Sequence, residues 1–394
     1  MKIKLAVLFG GKSVEHEISI ISAIQAIQSI NKEKYDIIPV YITKGNEMYT
    51  GEYIAKIEEY TNLKNLLKKS TKVTFVTEDG KTKLVECHKK IFRNPVISEI
   101  DLAFPIVHGT NCEDGTLHGY LKMLNLPFVG CDVTASAVGM DKYIMKTVFK
   151  DNGIPVLDCK CFGTKEYEAA PEAVAEAIEN EIHYPVIIKP INLGSSVGIK
   201  KAENRAELMD ALENAFTFAD KILAERAVEN LKEINCSVLG DCDDARASEC
   251  EEPISSDKIL SYQEKYLRGK KGGGSKGMAS LTRKIPADIT EQQRETIRTL
   301  AVKAFKCLNC SGIVRIDFMI DTKSGEIFLN EINTIPGSLS FYLWEPLGIK
   351  YADLLDEMIG TALKRARQQS EISYAFDTNV LEGMKFGGSK GSKM

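Results

Sequence analysis

The chain has 394 residues, of which 44% are hydrophobic and 27% are charged, and its formal net charge at pH 7 is −4. This length suits two or three domains, and the composition is that of a soluble globular protein without the basic surface of a nucleic-acid-binding protein. No apolar run reaches the roughly 20 residues of a membrane-spanning helix. The N-terminal MKIKLAVLFGG predicts a first strand and not a signal peptide.

Residues 1–130 predict a doubly wound α/β domain. A strongly apolar strand is followed by a glycine turn at Gly10 and Gly11, a helix with apolar positions on a helical period, and the strand YDIIPVYIT. The stretch 50–95 is irregular and rich in Lys, so we interpret it as an elaboration of the domain. A further strand, IDLAFPIVHG, runs into the polar loop TNCEDGT. The glycine turn places the start of the helix at the carboxyl edge of the sheet, where ligands collect.

Residues 131–224 and 225–367 predict two further domains. The first begins with one amphipathic helix, TASAVGMDKYIMKTVFKDNG, and continues through the strand IPVLDCKCF, a helix near 170–180 and the strand YPVIIKP. The strand ILAERAV leads into the last domain, which contains a loop rich in Gly and Lys and the helix TEQQRETIRTLAVKAFKCL. Residues 368–394 have the composition of a flexible tail.

The runs GIVRIDFMID and GEIFLNEINTIPG predict a hairpin around the turn-forming DTKSG. Because side chains alternate along a strand, Arg315 and Asp317 share a face, and so do Glu331 and Asn333. If the two pairs meet across the hairpin, two carboxylates and an amide oxygen converge, and such hard oxygen ligands suit Mg²⁺ together with substrate phosphates. The alternative is a solvated strand face that carries a surface ion pair.

A glycine-serine loop follows the strand that ends at Lys189, and it contains Gly194, Ser195, Ser196 and Gly198. Glycines let backbone N–H groups approach phosphates, hydroxyls add donors, and a lysine supplies a point charge. Since the lysine precedes the glycines, the pattern is neither a P-loop nor a dinucleotide fingerprint. A plain hairpin turn is the alternative, and the Mg²⁺-type residues later in the chain favour the phosphate loop.

These residues resemble the D-alanine–D-alanine ligases of the ATP-grasp superfamily. The resemblance covers roughly residues 3–365 and rests on six motifs in matching order: GGKSVEHEIS, HGTNCEDGT, MDKYIMK, VIIKPINLGSSVG, YQEKY, and RIDFM with NEINTIPG. It implies an α/β (α+β) multidomain protein, with a doubly wound pre-ATP-grasp domain followed by the two-part ATP-grasp fold. The implied activity is the cytoplasmic, ATP-dependent joining of two D-alanines for peptidoglycan synthesis through an acyl phosphate.

The resemblance also implies the ATP and metal contacts. Two Mg²⁺ (or Mn²⁺) ions would be held by Asp317, Glu331 and Asn333. Glu225 would accept the adenine amino group, and Glu233 would bind the ribose, with Lys232 as the alternative for that position. The residues expected to contact ATP are Lys142, Lys189, Ser195, Ser196, Glu225, Ala227, Val228, Glu233, Lys265 and Asn330.

The substrate contacts follow from the same resemblance. Glu15 would hold the ammonium of the first D-alanine, oriented by Ser195 and Tyr266, and His108 would lie near the carboxylate of that substrate. The Arg315 side chain and the Gly337 N–H would stabilise the oxyanion of the second step. Tyr266 itself favours an amine as the second nucleophile.

Two segments depart from the family. The segment after Gly337, within PGSLSFYLW, is shorter than usual in the family, so the identity of the second substrate stays open. Ser340, or else Ser338, would bind the carboxylate of that substrate. The loop LRGKKGGGSKGMASLTRK corresponds to one that closes over ATP, with a disordered surface loop as the alternative.

The sequence also allows alternative functions. One alternative is the same chemistry with another acceptor amino acid. A non-catalytic nucleotide-binding module is disfavoured because it has no use for Arg315. The ten cysteines are scattered, and the lone Cys307–Cys310 pair lacks the second pair of a zinc site and the βαβ context of a redox motif. We therefore expect reduced thiols. The expected partners are small molecules, without nucleic acid or membrane, and a homodimer is the assembly common in the family.

Overall fold

The computed structural model describes residues 2–87, 94–194, 196–254, 283–373, 379 and 381–382. In these residues the strands form three sheets of seven, four and five strands. No helix among them is both long and apolar enough to cross a membrane.

The seven-stranded sheet has the order β6-β5-β4-β3-β2-β1-β7. Strands β2, β1 and β7 run parallel to one another, as predicted for a doubly wound domain, and the other pairs are antiparallel. The strands are β1 Ile3–Gly10, β2 Tyr35–Ile42, β3 Met48–Thr50, β4 Thr71–Glu78, β5 Lys81–Glu86, β6 Val96–Glu99 and β7 Leu102–Ile106. The helices are α1 His16–Ser29, α2 Leu63–Lys69 and α3 Thr116–Met123.

The prediction of an irregular stretch over 50–95 is wrong for its second half. Strands β4 and β5 form an antiparallel hairpin that extends the sheet beyond β3. Val73 and Phe75 are buried and alternate with more exposed residues, and Leu84 is buried on the partner strand. Such alternation is typical of an antiparallel strand with one face on the core, and the many lysines occupy the more exposed positions.

The single amphipathic helix predicted over residues 134–153 is in fact two helices, α4 Val133–Met140 and α5 Lys142–Asp151. Asp141 separates them with an extended backbone, and its carboxylate accepts hydrogen bonds from the N–H groups of Tyr143 and Ile144 at 3.0 and 2.9 Å. Such an N-cap starts a new helix. Lys142 is therefore the first residue of α5.

The four-stranded sheet has the order β10-β9-β11-β8 and is antiparallel. Its strands are β8 Cys159–Gly163, β9 Val186–Pro190, β10 Lys200–Ala202 and β11 Lys221–Arg226; its helices are α6 Thr164–Ala169, α7 Pro171–Glu181 and α8 Arg205–Phe216. Val186, Ile188 and Ala224 belong to an apolar cluster with α7 and α8. Alternation therefore places Lys189 and Glu225 on the opposite face. The domain boundary after residue 224 stays a prediction. It falls inside β11, which pairs with β8 and β9 of this sheet on both sides of that position.

The five-stranded sheet has the order β14-β13-β12-β15-β16. Its strands are β12 Leu231–Gly240, β13 Ala245–Pro253, β14 Arg283–Lys284, β15 Gly312–Asp321 and β16 Ile327–Asn333, and it is followed by α10 Tyr351–Ser370. Helix α9, Glu291–Cys307, precedes β15 and begins with a capping box of Thr290 and Gln293. One face of the sheet packs on α9 through residues such as Ile316 and Phe305.

The segment from Trp344 through α10 packs against the first domain. Trp344 and the apolar side of α10 lie in the same core as β1 and β7. Arg365 of α10 donates to the carbonyls of Gly130 and Phe128 at 2.7 and 2.5 Å. Helix α10 continues to Ser370, past the predicted start of the flexible tail at 368, and most of that tail lies outside the described residues.

Candidate active site

The β15–β16 hairpin brings together the four polar side chains that the sequence predicts to meet. In its register Arg315 faces Asn333 and Asp317 faces Glu331. Arg315 donates from Nε and Nη2 to the two carboxylate oxygens of Asp317 at 2.6 and 2.7 Å, and Asn333 Nδ2 lies 3.1 Å from Asp317 Oδ2. The Arg315 and Asp317 side chains are only 12% and 16% exposed, so the alternative of a surface ion pair is wrong.

A β-bulge at Asn330 shapes the same strand. Asp317 pairs with Glu331 but Phe318 pairs with Leu329, so Asn330 is the extra residue. Asn330 Oδ1 lies 3.3 Å from Lys189 Nζ, and Glu331 Oε2 lies 3.5 Å from Lys142 Nζ. The hairpin therefore contacts the lysines of the middle domain. Lys142 also donates to the carbonyl of Leu193 at 2.7 Å, which ties it to the glycine-serine loop.

The hairpin's donor set fits Mg²⁺ only together with a phosphate ligand. Two carboxylates and one amide oxygen are hard ligands of the type that Mg²⁺ binds alongside substrate phosphates. Within the described ranges no group of three or more His, Cys, Asp or Glu side chains could hold a metal ion by itself. Asp317, Glu331 and Asn333 thus suit ions that a triphosphate shares.

Three buried charged side chains adjoin the hairpin. Glu225 Oε2 pairs with Lys146 and Glu225 Oε1 pairs with Lys189 at 2.5 Å, and the three side chains are at most 4% exposed. Burial by itself raises the pKa of Glu225, but the two ammonium groups outweigh it and lower the pKa to about 2. Burial also lowers the pKa of Lys146. The adenine contact expected of Glu225 stays a prediction.

Lys146 was missed by the sequence analysis, although it lies in the motif MDKYIMK. It stands one helical turn after Lys142 and next to Met145, which is also buried. A lysine on the apolar side of an amphipathic helix was the available signal, because lysine is seldom fully buried unless it is paired.

Glu15 lies at the N-terminus of α1, as the resemblance implies, and it borders two glycines. A Cβ on Gly109 would lie 3.0 Å from Glu15 Oε2, and one on Gly194 would lie 3.2 Å from it. The carboxylate therefore lies between the 109–115 loop and the glycine-serine loop. Gly109 is required there because its φ is 76° and a Cβ would lie 2.4 Å from Ser13 Oγ. This is where the family's first-substrate ammonium site is expected.

His108 is 3% exposed and bonded on both ring nitrogens. Nδ1 lies 2.7 Å from the Ile335 carbonyl and Nε2 lies 2.8 Å from Ser22 Oγ. A carbonyl can only accept, so Nδ1 carries the proton and Nε2 accepts from the Ser22 hydroxyl. Burial lowers the pKa of His108, which keeps the ring neutral.

The shortened segment after Gly337 begins with a left-handed turn. Ser338, Leu339 and Ser340 have φ values of 51°, 50° and 47°. In the left-handed region a residue with a side chain costs about 1–2 kcal/mol, so surrounding contacts must hold this turn. Ser338 Oγ donates to Gln25 Oε1 at 2.8 Å, whereas the buried Ser340 Oγ has no hydrogen-bond partner among the described residues. Of the two serines proposed for the second substrate, Ser340 thus has the available hydroxyl.

Glu113 is a second residue that sequence reasoning missed. Its Oε2 accepts from the Gly109 N–H at 2.6 Å, and its Oε1 accepts from the Ile335 N–H at 3.0 Å. Burial, and then the charge of Glu15, raise its pKa to about 8. Its place in HGTNCEDGT was the only local signal.

The other expected nucleotide contacts have mixed outcomes. Glu233 lies two residues before Asn235, and Asn235 faces Asp317, so Glu233 shares the polar face of the sheet. Lys232 instead donates to the Asp288 carbonyl at 2.7 Å, which favours Glu233 for the ribose role. The Ala227 N–H donates to the carbonyl of Pro185 at 2.8 Å. The contacts expected of Ser196 and Val228 stay predictions, while Ser195, Lys265 and Tyr266 lie outside the described residues.

Known proteins resemble the chain over nearly its whole length. The family model D-ala D-ala ligase N-terminus matches residues 4–131, and D-ala D-ala ligase C-terminus matches residues 148–360. D-alanine--D-alanine ligase from Thermosipho melanesiensis is 38% identical over 381 residues (96% of this chain, 98% of the relative). The same-named protein of Acetivibrio thermocellus is 40% identical over 375 residues (92% and 96%).

Two solved structures are similar as well. The D-alanine-D-alanine ligase from Coxiella burnetii is 30% identical with a TM-score of 0.78, covering 94% of this chain and 96% of that one. VanG D-Ala:D-Ser ligase from Enterococcus faecalis is 34% identical with a TM-score of 0.77, covering 92% and 100%.

The three sheets, with paired lysines facing an acidic hairpin, define an ATP-grasp enzyme, and the structural matches confirm that predicted fold. Both halves of the family model and relatives near 40% identity agree on the subgroup. The chain belongs to the D-alanine–D-alanine ligase family.

Proposed function

We propose that this protein uses ATP to join two D-alanines into D-alanyl-D-alanine, a peptidoglycan precursor, through an acyl phosphate. One observation carries the proposal: the hairpin that holds Asp317, Glu331 and Asn333 contacts Lys142 through Glu331 and Lys189 through Asn330. Family membership supplies the chemistry that such a site would serve.

In the first step the carboxylate of one D-alanine attacks the γ-phosphate, an acyl phosphate forms and ADP leaves. The chain's part is to position the reactants and offset charge, which is what phosphoryl transfer needs most. Lys142 and Lys189 would hold the phosphates from one side. Asp317, Glu331 and Asn333 would bind Mg²⁺ or Mn²⁺, which would supply charge neutralisation for the phosphates.

In the second step the amine of the other D-alanine attacks the acyl carbon, and phosphate leaves. Glu15 would retain the ammonium of the first substrate while this happens. Arg315 and the Gly337 N–H would stabilise the oxyanion. Arg315 is well suited because its bidentate contact with Asp317 and its burial fix the guanidinium in place. Burial opposes the charge, but Asp317 outweighs it and keeps the pKa of Arg315 well above its usual value.

The direct test is catalysis by the purified protein. ATP, Mg²⁺ and D-alanine should yield phosphate and D-alanyl-D-alanine in equal amounts, measured by phosphate assay and mass spectrometry. Omitting D-alanine should stop the phosphate release. Absence of ATP hydrolysis with every D-amino acid tested would refute the proposal.

A second candidate changes only the acceptor. The shortened segment at 337–344 motivates it, and one similar solved structure carries the name D-Ala:D-Ser ligase. D-serine in competition with D-alanine should then yield D-alanyl-D-serine in quantity. A product mixture that contains D-alanyl-D-alanine alone would eliminate this candidate.

A homodimer and a cytoplasmic location complete the proposal. Both come from the family resemblance, and ATP as a substrate suits the cytoplasm. Sedimentation of the purified chain would test the dimer, and a monomer at micromolar concentration would contradict it.

A further inference from the structure

The segment that leads from the hairpin to the left-handed turn is fastened to the first domain. Four hydrogen bonds make this connection, and every partner on the far side lies in α1 or in the loop 107–115. They are His108 Nδ1 to Ile335 O at 2.7 Å, Ile335 N to Glu113 Oε1 at 3.0 Å, Ser338 N to Ser22 Oγ at 2.9 Å, and Ser338 Oγ to Gln25 Oε1 at 2.8 Å.

Both backbone polar groups of Ile335 are hydrogen-bonded to side chains of the first domain. Its N–H is taken by Glu113 and its carbonyl by His108, and both of those side chains are buried. The second oxygen of Glu113 accepts from Gly109 at 2.6 Å, within the loop that borders Glu15. Glu113 thereby links the loop beside the first-substrate site to the residue that stands two positions before Gly337.

We propose that Glu113 is a positioning residue for the acceptor half of the reaction. It holds Ile335 so that the Gly337 N–H and the Ser338–Ser340 turn keep the geometry that the second amino acid needs. Glu113 acts through Ile335 and Gly109. The inference rests on the proposed ligase function, because it assigns Glu113 to one half of that reaction.

The choice of side chain supports a specific role over simple space filling. A buried carboxyl group is costly unless its oxygens are bonded, and here both oxygens accept backbone N–H groups. Both oxygens of a carboxyl group can accept an N–H group whether or not the group carries a proton, whereas the amide nitrogen of a glutamine cannot accept and would point a donor at one of those N–H groups. Glu113→Gln should therefore retain about one of the two hydrogen bonds, and Glu113→Ala should lose both.

The test is the product ratio in a mixture of D-alanine and D-serine with saturating ATP. Each folded molecule makes both products at the same acceptor site, so the ratio does not depend on how much of a variant folds. We expect Glu113→Ala to change the ratio of D-alanyl-D-serine to D-alanyl-D-alanine by about tenfold, since a misplaced positioning element alters discrimination strongly. Glu113→Gln should fall between Glu113→Ala and the wild type. The KM for ATP should stay within about twofold in both variants.

A second pair of variants keeps the test open if both Glu113 variants fail to fold. Gln25→Ala removes the contact to Ser338 from a partly exposed position on α1, and it should shift the product ratio in the same direction as loss of Glu113. Gln28→Ala makes the same change three residues further on, at an exposed position, and should leave the ratio at the wild-type value.

The outcomes separate the two proposals. A wild-type protein that forms no dipeptide would refute the proposed function itself. An active wild type whose Glu113 and Gln25 variants keep the wild-type product ratio would overturn the inference alone. An equal loss of ATP binding and of both products would also overturn it, because that pattern indicates a general structural role.

Discussion

At the scale of single residues, the site is organised by buried charges that share partners. Lys146 and Lys189 both bind Glu225, and Arg315 occupies both oxygens of Asp317. A buried ion is tolerated only with such partners, and removal of one partner leaves the other as an uncompensated buried charge. The three-membered group of Lys146, Glu225 and Lys189 has one positive charge in excess, which an ATP phosphate beside Lys189 would offset.

This arrangement predicts an order of stability among variants. Glu225→Gln leaves two buried ammonium groups without a carboxylate, so the free energy of unfolding should fall by about 3–5 kcal/mol. Lys146→Met leaves the Glu225–Lys189 pair intact and should cost about 1–3 kcal/mol. Urea denaturation would measure both values, with Lys150→Met, from the exposed pair with Asp158, as the control. A Lys146→Met loss equal to that of Glu225→Gln would contradict this description.

Glu113 predicts an unusual pH dependence of stability. Its pKa is raised from 4.5 to about 8, so between these values the folded chain holds a proton that the unfolded chain has released. The free energy of unfolding therefore falls as pH rises through this window, by at most about 1.4 kcal/mol per pH unit. Glu225 acts in the opposite sense: its contribution is present above pH 4.5 and is lost as pH falls towards about 2.

The check is urea denaturation of the wild type and of Glu113→Gln at several pH values between about 5 and 8, because the comparison cancels the histidines that also titrate in this range. The wild-type curve should fall relative to that of Glu113→Gln as pH rises, because the glutamine does not titrate. Two parallel curves would show that Glu113 is ionised in the folded chain.

At the scale of elements, the break between α4 and α5 positions Lys142. The Asp141 carboxylate caps α5, so Lys142 lies in the first helical turn and reaches Glu331 and the carbonyl of Leu193. Asp141→Ala should cost about 1 kcal/mol of stability through loss of the cap. It should also raise the KM for ATP, because the first turn of α5 would fray.

Asp132 offers a control, since its side chain accepts from the Val133 N–H at the start of α4 and pairs with Lys122 at 2.7 Å. Asp132→Ala should lower the thermal midpoint to a similar extent and leave the KM for ATP unchanged. If both variants raised this KM equally, the effect could not be assigned to Lys142.

The same elements show what local sequence can predict. The β15–β16 hairpin follows from alternation, glycine punctuation and a turn between the runs, all within about 25 residues. The α4–α5 break was missed because one capping aspartate interrupts an otherwise continuous helical period. Lys146 and Glu113 were missed because their partners lie 79 and 222 residues away, so no local pattern reports the pairing. Ser195, Lys265 and Tyr266 stay predictions from the family resemblance.

At the scale of the whole molecule, the first domain depends on the end of the chain. Strands β1 and β7 share one core with Trp344 and with the apolar side of α10. The left-handed turn at Ser338–Ser340 lies between these two elements, and α1 holds it from the other side. The proposed acceptor site would thus be assembled from residues that come together only when the C-terminal segment has folded back.

This dependence predicts opposite results for two truncations. The α10 side chains Leu354, Leu355, Met358 and Ile359 are buried in the core of the first domain. At about 1.5–3 kcal/mol for each, their loss removes roughly 6–12 kcal/mol, which is comparable to the whole stability of a typical domain. A chain that ends at Lys350 should therefore fail to fold, as judged by circular dichroism and protease resistance. A chain that ends at Ser373 retains α10 and the contacts of Arg365, so its thermal midpoint and ligase rate should equal those of the full chain. A folded, active chain ending at Lys350 would show that the first domain has a sufficient core without α10.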